Sequence, residues 1–451
     1  MRIRHPQIDT KKLINILPIF LVFLVAIMLR FGLSPQGFHV DIFSNAGWGE
    51  WIYQNGTLGF YENNVWVYSW PTQPPLVSIL YGLSAGLYET VLELLRQSTN
   101  FIVRFHLAPG HMVWWFNFVI WFDNPLTLEI PFPVGYLMSI KSIAILADIA
   151  ITSFVYWIAR KEGRRALLWS AVYLFSPFTW YLSALWGQYD GVAYMFALTA
   201  FLSLVKLPVF SPLLFAVSVS LKPTTILFLP LFAWVYFKRR PKTKSVVVGI
   251  AVSAVFTYLS IKVFAPSDVV IFIREVLVPK ILFKSEFRVS TNAYNFWHIF
   301  TLDKAIVDNT KFLLLPARVW GIFAYTVLNI IGFKIIKKVS FKNVLCAMFV
   351  VGAGSWLFLT GMLDRYYFAG VTTGLFVVLY YPKLFKYWLI ASLVFWMNLY
   401  RQWWYPEMFE PLKQVLIARS GLVGVFLSLV NVGVYISMAR YVLLDYFGKS
   451  K

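Results

Sequence analysis

The sequence predicts an all-α polytopic membrane protein with about 12 transmembrane helices (roughly 10–14), and three observations support this fold class. Of its 451 residues, 59% are hydrophobic and 13% are charged, and the mean hydropathy is +0.68. The apolar residues form long runs, and basic residues cluster between those runs. A soluble chain of this length exposes more charged surface than so few ionisable residues can cover. The composition therefore excludes an ordinary cytosolic enzyme and a disordered or fibrous protein.

The net charge of +20 is explained by membrane topology. In a soluble protein such a charge would indicate a nucleic-acid partner, but in a membrane protein basic loops remain on the cytoplasmic side. About half of the 40 Lys and Arg residues, with only Asp9 and Glu162 among the acids, lie in the clusters 1–12, 160–165, 238–244, 334–342, 383–386 and 449–451. We therefore expect cytoplasmic loops at these clusters and no nucleic-acid partner.

The positions of the basic clusters fix the parity of the apolar runs between them. The first run follows a basic N-terminus, is too long for a cleaved signal peptide and is interpreted as a retained signal anchor. The predicted spans are 13–31, 136–159, 166–185, 191–206, 208–221, 224–237, 245–264, 314–336, 343–361, 366–382, 386–400 and 421–444. Several are shorter than the roughly 20 residues that a straight helix needs. Twelve spans return both termini to the cytoplasm in one membrane domain, 1–451.

This parity places residues 32–135 on the outer face as a large first loop and residues 265–313 there as a second. Within the first loop, the apolar stretch 75–97 and the segment 101–122 form either an extra hairpin or amphipathic helices in the interface. The mixture of charged residues, histidines and tryptophans in 101–122 is typical of an interfacial belt. We therefore favour a non-cytoplasmic loop of juxtamembrane helices.

Two polar features of the outer face are candidates for substrate contact. Asp41 follows the first span at interfacial depth, where a partly solvated carboxylate can act as a general base for a hydroxyl. The same residue also fits the N-cap of a helix that begins near Ile42. Gln188 and Asp190 lie in a glycine-flanked turn between two apolar spans. That turn either presents both side chains to a substrate or places Asp190 as the cap of the next helix.

Three cations lie where a membrane protein needs a reason for them. Lys222 separates two apolar halves, a costly position that a lipid-carrier phosphate or snorkelling to the surface would relieve. Arg288 belongs to the second outer loop, on the face that the positive-inside rule depletes, which suggests an anionic ligand or lipid headgroups. Arg365 and the adjacent Asp364 either pair with each other at a helix boundary or serve a ligand.

The sequence predicts neither a metal site nor a cofactor. The single cysteine, Cys346, excludes an intramolecular disulfide and a Cys-based metal site, and the five histidines show no paired spacing on one helix face. Phosphate-binding loops, dinucleotide fingerprints and serine-nucleophile elbows are absent from the sequence.

The order of these features resembles the GT-C superfamily of polytopic glycosyltransferases, which take sugars from polyprenyl-phosphate carriers. From Asp41 to Tyr366 the chain presents, in sequence, an Asp after the first span, a Trp-rich loop closing in Pro-Pro-Leu, a Gly-Gln-Tyr-Asp turn, a Lys-Pro turn, an Asn-Ala-Tyr-Asn-Phe-Trp segment and a Met-x-Asp-Arg-Tyr turn. The most similar members are the dolichyl-phosphate-glucose-dependent glucosyltransferases of N-glycan assembly and related prokaryotic mannosyltransferases.

The resemblance implies a role for each candidate residue. Asp41 would be the catalytic base, and the matching Trp-Gly-Gln-x-Asp segment ends at Asp190. Leu363 stands where relatives have histidine, so one donor-phosphate contact of the family is replaced here. The implied donor-phosphate ligands are Lys222, Arg365 and Arg288, and the implied substrate contacts are Trp70, Gln73, Gln188, Asp190, Asn292, Asn295 and Asp364.

The implied activity is inverting, metal-independent transfer of glucose or mannose from a polyprenyl-phosphate carrier. The acceptor would be a hydroxyl of a lipid-linked oligosaccharide, a glycolipid or a protein on the outer or lumenal face. The membrane would be the plasma membrane of a prokaryote or the endoplasmic reticulum of a eukaryote. Alternatives are a secondary transporter or flippase of lipid-linked sugars, expected to hold ionisable groups at the bilayer midplane, and a polysaccharide polymerase or ligase.

Overall fold

The structure is a computed structural model that describes residues 10–37, 39–66, 68–104, 109–127, 130–265, 267–282, 288–302, 304–402, 409–418 and 420–448. The basic residues at 1–9 and 449–451 lie outside this range. The described chain is almost entirely helical, and its strands form two short antiparallel hairpins, β1–β2 (Pro125–Thr127 and Ile130–Pro133) and β3–β4 (Lys311–Phe312 and Leu315–Pro316).

The α-helices are α1 (Thr10–Leu33), α2 (Val40–Asn55), α3 (Pro75–Arg104), α4 (Pro109–Asp123), α5 (Val134–Lys161), α6 (Ala166–Leu174), α7 (Pro177–Trp180), α8 (Asp190–Lys206), α9 (Ser211–Leu221), α10 (Leu229–Lys238), α11 (Thr243–Lys262), α12 (Val269–Phe272), α13 (His298–Thr301), α14 (Ala317–Ile335), α15 (Phe341–Phe358), α16 (Phe368–Tyr380), α17 (Phe385–Tyr400), α18 (Glu410–Ala418) and α19 (Ser420–Phe447). Two π-helical segments (Tyr181–Trp186 and Ile273–Leu282) and 3-10 turns at Pro223–Phe228, Asp364–Tyr367 and Pro382–Leu384 lie between them.

Six helices in the described part of the chain are long and apolar enough to cross a membrane: Pro75–Phe101, Val134–Lys161, Thr243–Lys262, Ala317–Ile335, Phe341–Phe358 and Gly421–Phe447. In α11 only Gly249 and Ile261 are buried, although the helix is apolar. Water disfavours an exposed apolar surface of this extent, whereas lipid accepts it. The helices therefore indicate a helical protein embedded in a membrane.

All twelve segments predicted as spans coincide with helical structure. Five of them overlap one of the six long helices, and the remaining seven coincide with α1 or with shorter or interrupted helices. The predicted span 166–185 is broken into α6, α7 and a π-helical turn, because Pro177 begins a new helix. The sixth long helix is α3, which covers the stretch 75–97 that we favoured as interfacial. A total of twelve spans remains a prediction.

A fully buried ion pair joins α1 to α5. Nε of Arg30 lies 3.2 Å from Oδ2 of Asp148, and Nη2 donates to the hydroxyl of Thr179 at 3.1 Å. Ser183 donates to the same Oδ2 atom at 2.6 Å. Both charges are thus paired and hydrogen-bonded, as a buried ion pair requires. The pair fixes the π-helical turn at Tyr181–Trp186 against α1 and α5.

Lys141 fixes the connection from α1 to α2. Its side chain is fully buried, and Nζ donates to the carbonyl oxygen of Ser34 at 2.5 Å and to that of Gly37. A lysine at the carboxyl end of a helix satisfies carbonyls that lack helical partners. His39, two residues after Gly37, is then the N-cap of α2.

One of the two large hydrophobic clusters packs around α2. Ile42, Ala46 and Trp48 of this helix are buried against α3 and the start of α5. The hydroxyl of Tyr136, in the first turn of α5, donates to the carbonyl of Ala46 at 2.7 Å. This packing holds the polar first turn of α2 beside the start of α8.

Candidate functional site

The turn from Trp186 to Asp190 places two predicted site residues against α2. Gly187 has a φ of +75°, and an added Cβ would lie 2.9 Å from Cγ of Lys141 and 3.1 Å from Cδ1 of Ile42. Glycine is therefore required here both for the left-handed backbone and for the close approach. The turn directs Gln188 toward Asp41 and makes Asp190 the first residue of α8.

Side chains from two other parts of the chain approach one carboxylate oxygen of Asp41. Nε2 of Gln188 donates to Oδ2 at 2.7 Å, and Nη1 of Arg365 lies 4.0 Å from the same atom. The N-cap of α2 is His39, whose Nδ1 accepts from the backbone N–H of Asp41 at 3.3 Å. The expectation that Asp41 could cap this helix was therefore wrong, because the helix already begins at Val40.

The neighbours of Asp41 determine its charge. Burial by itself would raise the pKa of the Asp41 carboxyl. The contact with His39, the positive charge of Arg365 and the hydrogen bond from Gln188 outweigh burial, and they hold the pKa well below its usual range. For Arg365, burial by itself would lower the pKa of the guanidinium. Nearby negative charges, that of Asp41 above all, outweigh burial and raise this pKa above its usual range. The site therefore holds an ionised carboxylate and a permanent guanidinium.

Lys222 forms a buried ion pair with Asp190. Nζ of Lys222 contacts Oδ1 of Asp190 and lies over the rings of Tyr189 and Tyr366, at 5.3 and 4.7 Å from their centroids. Burial lowers the pKa of Lys222 to about 8, and the charge of Asp190 partly offsets that effect. Lys222 is only 6% exposed, so the snorkelling expectation was wrong. The expectation that Asp190 caps α8 was also wrong, because Tyr189 occupies the N-cap position and Asp190 is the first residue inside the helix.

A cavity of about 630 Å³ opens beside these charges. Its lining includes four predicted site residues, Gln73, Lys222, Arg288 and Arg365. The side-chain oxygen of Gln73 accepts a hydrogen bond from the hydroxyl of Tyr189, a residue that also lines the cavity. In the described part of the chain, Oδ2 of Asp190 and Nε of Arg365 are buried without a hydrogen-bond partner. Three cations therefore line one space, and one of them, Arg365, retains an unsatisfied donor.

The segment that begins at Arg288, in the predicted second outer loop, reaches this cavity by docking onto the turn before Asp364. The carbonyl of Arg288 accepts from the N–H of Gly361 at 2.8 Å, and the N–H of Thr291 donates to Met362 at 3.3 Å. Leu363, which stands where the resembled family has histidine, also lines the cavity. The docking brings Arg288 to the cavity from a segment more than 70 residues before Arg365.

Four other predicted contacts have different surroundings. Asn295 is fully buried, and its side-chain oxygen accepts from the N–H groups of two following residues, which holds the loop. Asn292 accepts from Arg401 at 3.4 Å. Trp70 does not line the cavity, and Lys280 lies over its ring at 5.3 Å. Asp364 is 3% exposed, and its Oδ1 lies 3.9 Å from Nη1 of Arg365. These positions support a role in holding the site rather than in touching a ligand.

Sequence reasoning missed several residues that shape the site. The ring of His39 lies 4.6 Å from that of Trp186, and Arg365 lies over the same indole at 5.8 Å. Trp186 therefore packs against two neighbours of Asp41, His39 and Arg365. The rings of Tyr189 and Tyr366 enclose Lys222. The sequence motifs that contain these tyrosines predicted a role only for the polar residues next to them. Within the described residues, no group of three or more His, Cys, Asp or Glu side chains lies together.

Neither a scan against models of protein families nor a search of curated proteins finds a match to this chain. The function is therefore inferred from the geometry of the site and from the order of its motifs.

Proposed function

We propose that this protein is an inverting glycosyltransferase of the GT-C type, which moves a hexose from a polyprenyl-phosphate carrier to a hydroxyl acceptor at the outer face of the membrane. The observation that carries this proposal is that Arg365 both lines a cation-rich cavity and lies beside an ionised carboxylate, Asp41. The order of sequence motifs supports the same class.

The cavity fits a phosphorylated donor in size and charge. Its volume of about 630 Å³ lies within the usual range of small-molecule sites. Lys222, Arg288 and Arg365 would hold the phosphate through charge-assisted hydrogen bonds. The ring faces of Tyr189 and Tyr366 would pack against the apolar faces of the sugar.

The reaction needs one base and one anion-stabilising group. Asp41 takes the proton of the acceptor hydroxyl while that oxygen attacks the anomeric carbon. The bond from the anomeric carbon to the phosphate oxygen breaks, and its electron pair leaves with polyprenyl phosphate. Arg365 and Lys222 stabilise the negative charge that develops on that oxygen. Attack from the side opposite the leaving group inverts the anomeric centre, and the phosphate leaves without a proton from an added acid.

Donor binding would also strengthen the base. In the structure, Arg365 and His39 stabilise the ionised form of Asp41, which makes it a weak proton acceptor. A donor phosphate beside Arg365 neutralises part of the guanidinium charge, so the pKa of Asp41 rises toward the value that burial favours. Proton transfer is thereby coupled to the presence of donor.

The test is sugar transfer by the purified protein in lipid nanodiscs. Radiolabelled polyprenyl-phosphate glucose and mannose are offered separately, with a total lipid extract of the source organism as acceptor. We expect transfer from one donor, reduced about 10²–10⁴-fold in Asp41→Asn because the general base is lost. Glu62→Gln, which removes an exposed acid of the same loop, should retain wild-type transfer.

Transfer that survives in Asp41→Asn would assign the base elsewhere, and absence of transfer from both donors would contradict the proposed class.

A flippase of lipid-linked sugars is the second candidate, because Arg30 and Asp148 are buried charges in segments predicted to span the membrane. A flippase would carry labelled donor across sealed vesicles without forming a glycosidic bond.

A further inference from the structure

A second concave surface, which we call the aromatic groove, runs along α2. It has a volume of about 310 Å³, and the residues that matter for its chemistry are Ser44, Trp48, Glu50, Trp51, Trp66 and Tyr68. The segment 68–74 contributes to both concave surfaces, since Tyr68 and Ser69 line the groove while Thr72 and Gln73 line the cavity. The groove is therefore a neighbour of the proposed donor site and distinct from it.

The aromatic side chains of the groove are oriented by hydrogen bonds inside the chain. The indole N–H of Trp48 donates to the carbonyl of Ser69 at 2.9 Å, and that of Trp66 donates to Asn63 at 2.8 Å. Trp51 packs against Trp66 with 6.0 Å between ring centroids. In an aromatic belt of the membrane interface, indole N–H groups are free to meet water and headgroups. Here two of them are occupied, so the rings serve the groove as apolar walls.

Polar groups alternate with these rings along the helix. Glu50 and Gln54 are exposed and one turn apart, and Nε2 of Gln54 donates to Oε1 of Glu50 at 3.1 Å. The remaining lone pairs of this carboxylate can accept hydrogen bonds from hydroxyl groups. A ligand that fits apolar ring faces and a carboxylate together has C–H faces bordered by hydroxyl groups, as saccharides do. An anionic headgroup would be repelled by Glu50, and an acyl chain would leave it unsatisfied.

The groove and the proposed base share one helix. Asp41 lies in the first turn of α2, Ser44 is one turn further, and Gln54 lies near the end, about 20 Å along the axis from Asp41. A ligand in the groove therefore extends away from Asp41 while one end approaches it. We propose that the aromatic groove binds the saccharide portion of the acceptor, with the reacting hydroxyl directed to Asp41. The word acceptor rests on the proposed function, whereas saccharide binding does not.

The binding test uses the full protein in nanodiscs and two soluble probes, maltotetraose and an α-linked mannose tetrasaccharide, observed by saturation-transfer NMR. We expect at least one probe to bind, with affinity lowered about tenfold or more (~1.4 kcal/mol) in Trp51→Ala and in Glu50→Gln. Trp51→Phe should restore part of the affinity because it keeps a ring face. The matched control is Trp114→Ala, which removes an exposed tryptophan of the same outer loop and should change nothing.

Because Glu50 is exposed, Glu50→Gln tests the groove even if Trp51→Ala fails to fold. Three results would overturn the inference: neither tetrasaccharide binds the wild type, both groove variants bind with the affinity of the wild type, or a Ser/Thr-rich peptide binds in place of the tetrasaccharides.

Consumption of the sugar donor separates the two proposals. If both variants transfer sugar with an unchanged KM for acceptor, the groove assignment fails and the transferase remains. If neither donor is consumed but groove-dependent tetrasaccharide binding persists, the transferase fails and the groove remains.

Discussion

At the residue scale, the chemistry of the site depends on how Arg365 divides its charge. The guanidinium lies 4.0 Å from Asp41 and 3.9 Å from Asp364, and it also lines the cavity. A phosphate in the cavity would therefore compete with two carboxylates for one cation. Since the charge of Arg365 contributes to the low pKa of Asp41, this pKa should rise when a phosphate takes up part of that charge.

Replacing Arg365 should change the pH dependence of transfer in a defined direction. In the wild type the pKa of Asp41 is depressed, so the carboxylate remains ionised as the pH falls. In Arg365→Gln the positive charge is lost and burial raises that pKa, so the acid limb of kcat/KM should move to higher pH by about one to three units. The rate itself should also fall, because a donor-phosphate ligand is lost.

Arg365→Lys is the control for charge. It retains a cation near Asp41, so its acid limb should remain close to that of the wild type even where the rate is lower. If Arg365→Gln and Arg365→Lys share the wild-type limb, Arg365 does not set the protonation of the base. The pH profile separates this effect from a general loss of structure, which lowers the rate without moving the limb.

The sequence pointed to most of the polar residues that the structure brings together at the candidate site, but not to their partners. Asp41, Gln188 and Arg365 could be selected because polar residues at membrane boundaries are costly and therefore need a reason. That Lys222 pairs with Asp190, 32 residues away, depends on how α8 and α9 pack, which periodicity does not reveal. For the same reason, Asn292 and Asn295 had the right residue type for a ligand contact, but the structure places their side chains in hydrogen bonds within the protein.

At the element scale, the helical segments were predictable because apolar runs and basic loops mark them directly. The interruption inside 166–185 was not predicted, since Pro177 and a π-helical turn divide an otherwise continuous apolar run. This interruption matters because it presents the Trp186–Asp190 turn to α2. The buried pair Arg30–Asp148 holds the interrupted segment through Thr179 and Ser183.

Removing one partner of this pair should destabilise the protein more than removing both. Arg30→Met leaves Asp148 charged and buried without its partner, which should cost about 3–5 kcal/mol of unfolding free energy. Asp148→Leu should have a similar cost, whereas the double variant Arg30→Met/Asp148→Leu should recover most of it. Thermal unfolding in detergent measures all three.

Lys342→Met is the matched control, because it breaks an ion pair with Asp445 whose side chains are 37% and 25% exposed. A pair of that exposure should contribute less than about 1 kcal/mol. Single variants at Arg30 and Asp148 that are as mild as this control would show that the buried pair does not hold the interrupted helix.

At the scale of the whole molecule, the position of α3 decides the topology of the predicted first outer loop. α3 is long and apolar enough to cross a membrane, yet its contacts favour the interfacial position. Tyr88 and Arg96 both reach Asp123, at 2.6 and 2.9 Å. The N–H of Val134, the first residue of α5, donates to the residue that follows Asp123. Two turns of α3 thus lie near the end of α5 that we predict to be outside.

This arrangement predicts that both ends of α3 are accessible from outside. A helix that entered the membrane beside α5 would carry Arg96 away from the outer end of α5, and it would bury an ion pair whose side chains are 54% and 35% exposed. We expect cysteines introduced at Leu83 and at Asn100, both exposed, to react with a membrane-impermeant maleimide added outside intact cells. The single native cysteine, Cys346, is buried and should give no background.

Glu62→Cys and Glu162→Cys calibrate the labelling, since both positions are exposed and we predict the first to be outside and the second in a cytoplasmic loop. Labelling at Leu83 and Asn100 that matches Glu62→Cys places α3 in the outer layer with α2 and its aromatic groove. Reaction of Asn100→Cys only after the membrane is opened, as for Glu162→Cys, would make α3 a span and α4 its return, and the predicted number of spans would rise by two. We predict the carboxylate of Asp41 to be outside in either topology, because α2 precedes α3 and follows α1, which we predict to be the first span.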